Sequence, residues 1–148
     1  MSRPVDVVTD IVIERPRAEV ARYASDPDNA PRWYTNIKSV RWATDPPLQV
    51  GSRIDFVAHF LGRRLAYTYE IVTLEANIRM VMRTADGPFP METTYTWGDV
   101  GERATLMGLR NRGMPAGFSR LMAPLMSAAM ARANRKDLER IRSILEAD

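Results

Sequence analysis

The chain has 148 residues, 45% of them hydrophobic and 26% charged, with a formal net charge of +3. That balance describes one globular domain over residues 1–148 with a sizeable core, and it excludes a disordered chain. The absence of cysteine excludes disulfides, thiolate metal sites and a cysteine nucleophile together.

Val5 to Glu14 reads as a strand, with Val5, Val7, Thr9, Ile11 and Ile13 on one face by the period of two. Pro16 ends it and suits the first turn of a short helix whose buried side is Ala18, Val20, Ala21 and Ala24. Asp26 is placed to cap a second short helix, with Pro27 at its first position and Trp33 and Tyr34 at its close. Asn36 to Thr44 is a second strand, broken by Asp45-Pro46-Pro47. Five more strands follow at hairpin spacing. The first carries Ile54, Phe56, Ala58 and Phe60 on its inner face, and Gly62-Arg63 forms the turn after it. The inner faces of the others are Leu65, Tyr67, Tyr69, Ile71 and Thr73; Met80 and Met82; Met91, Thr93, Tyr95 and Trp97; and Thr105, Met107, Leu109 and Asn111.

The last thirty or so residues change period. Phe118, Leu121, Met122, Leu125, Met126, Ala129, Met130, Ala133, Leu138, Ile141, Ile144 and Leu145 recur at three and four, the stripe of one long helix. Pro124 falls inside that pattern, so a kink or a short break before the main helix is expected there. Arg120, Arg132, Arg135, Lys136, Arg140 and Arg142, with Asp137, Glu139 and Glu146 as helical neighbours, read as the solvated face. With no long helix between the strands, a parallel α/β arrangement is disfavoured. The expected architecture is α+β: a curved antiparallel sheet of about six to seven strands, two short helices near the N-terminus and a long C-terminal helix. A sheet curled around one helix, itself about 10 Å thick, tends to leave a gap between the two.

Several strings in this order resemble a known family. Ile13-Glu14-Arg15-Pro16-Arg17-Ala18-Glu19-Val20 and Ser25 to Trp33 are similar to a strand, proline-bounded helix, aspartate and tryptophan pattern. Val50-Gly51-Ser52-Arg53, Tyr69 to Val72, Gly101 to Leu106 and Asp137 to Ala147 resemble later parts of the same pattern. The chain resembles the polyketide cyclase/dehydratase-like group of the START/Bet v1 (SRPBCC) superfamily over nearly its whole length. The resemblance implies a helix-grip fold and a cavity for an apolar ligand. It carries over no catalytic constellation, because fold and function separate in this superfamily.

His59, the one histidine, falls on an outer face, which leaves no metal centre of the multi-imidazole kind and no hydrolase triad. No glycine-rich phosphate loop is present, so no cofactor is expected. The 21 basic residues are interleaved with 18 acidic ones, and no patch marks a nucleic-acid partner. No apolar run approaches the roughly 18 residues of a membrane span, and the N-terminal residues lack a secretory apolar core. A cytoplasmic protein with no integral membrane association follows, with room for a homodimer.

The candidate ligand-binding residues are those patterned inward: Phe56, Phe60, Tyr67, Tyr69 and Met82, then Thr93, Tyr95, Trp97, Met107 and Leu109, and from the helix Phe118, Met122 and Met126. Buried phenols need partners, and methionines accept ligands of varied shape. The first functional expectation is binding of a hydrophobic or aromatic small molecule such as a lipid, sterol or polyketide. The alternatives are a cyclase or dehydratase using the same cavity, and a protein-interaction module with a vestigial one. An inner face without histidine or carboxylate favours binding over catalysis, since an unperturbed tyrosine titrates near 10.

Overall fold

The computed structural model describes residues 5–87, 90–113 and 123–147. Seven strands form one sheet: β1 (Val5–Ile13), β2 (Ile37–Trp42), β3 (Arg53–Phe60), β4 (Arg63–Glu75), β5 (Arg79–Asp86), β6 (Met91–Val100) and β7 (Ala104–Gly113). Their order is β1-β7-β6-β5-β4-β3-β2, and every neighbouring pair is antiparallel. The first two strands therefore lie at opposite edges. Helices α1 (Arg17–Ser25) and α2 (Ala30–Trp33) make the crossing between them. The long helix α3 (Ala123–Glu146) packs along β1, and together these elements form the helix-grip arrangement.

Local sequence accounts for the joints. Asp26 accepts a hydrogen bond from the Asp28 amide at 3.0 Å and caps a 3-10 turn over Pro27–Asn29, which leads into α2. The β3–β4 hairpin turns on Leu61-Gly62 rather than Gly62-Arg63. Both turn residues have positive φ, as a two-residue hairpin requires, and Arg63 already begins β4. Pro124 is the second residue of α3 as described, and the segment before it, where a break was expected, lies outside the described residues. No described helix is long and apolar enough to cross a membrane.

Three inner-face readings need correction. Ala18 is exposed, and α1 buries only Val20, Ala21 and Ala24. A register shift between Ile71 and Thr73 inserts an extra residue at Val72, so that Leu74 beyond it packs on the core. Opposite this irregularity, Met80, Val81 and Met82 are all buried, although strict alternation places Val81 outside.

The inner face of the sheet is covered unevenly. At one end Ile13, Trp97, Met107 and Leu109 share a core with Val20, Ala21 and Ala24 of α1 and with Leu138, Ile141 and Leu145 of α3. A second cluster joins Val5, Val7 and Met91 to Met126 and Met130 of α3. The outer face carries cross-strand ion pairs such as Arg110–Asp6 at 2.6 Å and Arg83–Glu92 at 2.7 Å. These spread the basic charge among acidic partners and add little stability each.

Candidate functional site

Between those clusters the sheet and α3 part and leave a cavity of about 140 Å³. Its floor alternates along the strands: Phe56, Ala58 and Phe60 of β3, Leu65, Tyr67 and Tyr69 of β4, Met82 of β5, and Met91, Thr93 and Tyr95 of β6, with Asn111 from β7. Its roof is one face of α3, formed by Met130, Ala133, Asn134 and Asp137. Ala30, Tyr34, Asn36 and Ile37 close the side where α2 leads into β2.

Seven of the residues read from the sequence as ligand-binding line this cavity: Phe56, Phe60, Tyr67, Tyr69, Met82, Thr93 and Tyr95. Trp97, Met107 and Leu109 do not. They share the inner face of their strands with the liners, but α1 and the C-terminal half of α3 press on that end of the sheet. Met126 is on the expected stripe of α3, yet it is buried with Val5, Val7, Met91 and Met130 and is not itself among the residues that line the cavity. Phe118 and Met122 lie outside the described residues. His59 is exposed on β3.

The cavity wall is rich in phenols. The Tyr34 and Tyr95 hydroxyls share a hydrogen bond of 2.5 Å, and the fully buried Trp33 ring stacks on Tyr34 with centroids 4.1 Å apart. Phe56 and Tyr67 each bring their ring centroid to 5.8 Å from Tyr69. Burial holds the Tyr34, Tyr67 and Tyr95 phenols above their ordinary range, and it pushes Tyr69 up to about 12. At neutral pH all four are uncharged hydrogen-bonding groups and none is a base.

Two further polar features come from α3. Asp137 is the one charged side chain among the described liners and is only 1% exposed. This corrects its reading as part of the solvated face, and it puts a carboxylate inside the cavity where none was expected. Its Oδ1 accepts hydrogen bonds from the Thr35 amide at 2.9 Å and the Thr35 hydroxyl at 3.0 Å. Burial pushes its carboxyl up to about 6, with the Thr35 bonds and the Arg140 charge pulling the other way. The second feature is a relay in which Thr93 Oγ1 donates to Asn111 Oδ1 at 2.7 Å and Asn111 Nδ2 donates to Asn134 Oδ1 at 3.1 Å. Thr93→Val leaves the buried Asn111 oxygen without its donor. The expected cost is about 1–3 kcal/mol, read as a fall in the urea midpoint with the slope unchanged. A loss well under that range would show that water replaces the hydroxyl.

Seven antiparallel strands curled over one terminal helix, with a mostly apolar cavity held between them, define a helix-grip cavity protein. The chain belongs to the family described as polyketide cyclase / dehydrase and lipid transport, whose model matches residues 4–146. Comparison with curated proteins finds no match. Among solved structures the chain is similar to the Zhui aromatase/cyclase of a Streptomyces species, with TM-score 0.82, 13% identity, and 97% of this chain and 94% of that one covered. It is similar to a START superfamily protein from Mycobacterium smegmatis, with TM-score 0.79, 13% identity, and 94% and 98% covered. A third structure, TTHA0849 from Thermus thermophilus, gives TM-score 0.79, 20% identity, and 97% and 99% covered. At these identities the likeness is one of fold.

Proposed function

We propose that this chain binds a compact hydrophobic or aromatic molecule in the cavity between the sheet and α3. The observation that supports this is the cavity itself, lined by aromatic and aliphatic side chains, with phenols and Thr93 on the sheet side and Asn134 and Asp137 on α3. An engineered apolar cavity of about 150 Å³ holds benzene, whereas pockets for drug-sized ligands span roughly 300–1,000 Å³. The 140 Å³ bounded by the described residues therefore suits a ring or a short acyl group better than a sterol or a two-chain lipid.

A second reading, a cyclase or dehydratase using the same cavity, rests on Asp137. Its carboxyl, pushed up to about 6, lies beside the Tyr34–Tyr95 pair and is the lining group able to exchange a proton near neutral pH. The phenols would orient an oxygen of the substrate while Asp137 moves the proton.

Acetophenone tests the first reading. At a hundredfold excess over its Kd it should stabilise the fold by about 2.7 kcal/mol in a melting experiment. No shift with any small neutral aromatic, together with unmoved tyrosine ring resonances, would sink the binding proposal. Native mass spectrometry of protein from its own host separates the two readings: a retained molecule that loses the mass of water on incubation supports the enzyme.

A further inference from the structure

Among the described residues, four buried side-chain polar atoms have no hydrogen-bond partner: Tyr23 Oη, Trp33 Nε1, Trp97 Nε1 and Asn134 Nδ2. Only Asn134 belongs to a residue that lines the cavity. It is 3% exposed, and its orientation follows from its neighbours. Thr93 gives its single proton to Asn111 Oδ1, which turns Asn111 Nδ2 toward Asn134. Asn134 answers with Oδ1 and is left with two N–H protons and nothing to receive them. Of the other polar groups nearby, Thr93 and Asn111 are held by the relay, Tyr34 and Tyr95 by each other, and Asp137 Oδ1 by Thr35, while the Tyr67 and Tyr69 hydroxyls and Asn36 lie on the same wall. A buried donor of this kind is costly when the cavity is empty, and a ligand acceptor recovers that cost.

The charge around it narrows the ligand further. Asp137 is one helical turn along α3 from Asn134 on the same lined face, and no Lys, Arg or His is among the described liners. An anionic ligand would meet a carboxylate with no cation to offset it. Resting on the binding proposal above, we infer that Asn134 Nδ2 is the recognition donor for the oxygen of an uncharged aromatic carbonyl compound. The rings lie among Phe56, Tyr67 and Tyr69 while the carbonyl reaches up to α3.

The test compares isosteres by calorimetric titration. Acetophenone should bind wild-type protein roughly three- to tenfold more tightly than ethylbenzene, the gain of one net hydrogen bond. Benzoate should bind at least about tenfold more weakly than acetophenone. In Asn134→Leu the acetophenone advantage should vanish while ethylbenzene still binds. If that variant does not fold, the wild type still decides: the Asn134 side-chain amide protons should move downfield with acetophenone and stay put with ethylbenzene. Equal affinity for acetophenone and ethylbenzene would overturn this inference and leave the binding proposal intact. The same holds if benzoate binds best, or if indole gains over indene while acetophenone gains nothing, because the amide would then face the ligand with its oxygen. Failure of every aromatic to bind would remove both.

Discussion

Replacing Leu138 with alanine should cost about 2–5 kcal/mol, the range for deleting a buried leucine that leaves a void. In a domain of this size that corresponds to a fall in melting temperature of roughly 10 °C. Leu138 is 1% exposed and sits where α1, α3 and the sheet meet, among Trp33, Ile141, Met107 and Leu109. No solvent can enter to fill the gap, and the ring and thioether around it have little freedom to collapse. The loss should appear as a lower denaturation midpoint with an unchanged slope. A loss below 1 kcal/mol would mean that α3 does not seal this end of the sheet.

Asp137→Asn should stabilise the protein at neutral pH. The folded carboxyl is raised by burial to about 6 from an ordinary value near 3.8, so the native state holds its proton more tightly than the unfolded chain does. The contribution is full below about pH 4 and is lost as pH rises through 6. Above that, a charge sits on a buried side chain. Asparagine keeps an oxygen for the two Thr35 bonds and removes the charge. Unfolding free energies of the two proteins should nearly coincide at the acid end of the range and diverge to about 2–3 kcal/mol in favour of the variant above pH 7. Parallel curves across that interval would show that Asp137 titrates normally and would remove the main support for the enzyme reading.

The period of two found the strands and sorted most of their residues into inner and outer faces, and it failed at the β4 bulge, where Leu74 and Val81 turn inward. It could not tell which part of the inner face a helix covers. Tyr95 and Trp97 follow the same pattern on one strand, yet Tyr95 lines the cavity and Trp97 is sealed at its end. That division depends on the path of α3 across the sheet, a long-range property absent from any local window. Asp137 was legible in principle. It lies four residues after Ala133 and four before Ile141, within the apolar stripe, and a carboxylate at such a position is itself a sign of a polar cavity. Its charged neighbours Lys136 and Glu139 hid that signal by making the segment look solvated. The relay through Asn111 and Asn134 joins β7 to α3, and no spacing rule connects those two positions.

The pairing of β1 with β7 sets the order in which the molecule can be built. Val5 aligns with Gly113 and Ile13 with Thr105, so the first strand made waits for the last before it has a neighbour. Such distant pairings slow folding, because a long loop must close before any contact rewards it. A growing chain can assemble the meander from β2 to β6 hairpin by hairpin, while β1 trails with its backbone groups exposed. Until β7 has formed, β1 and the free edge of β6 therefore both lack a partner, two strand edges open to misassociation at once.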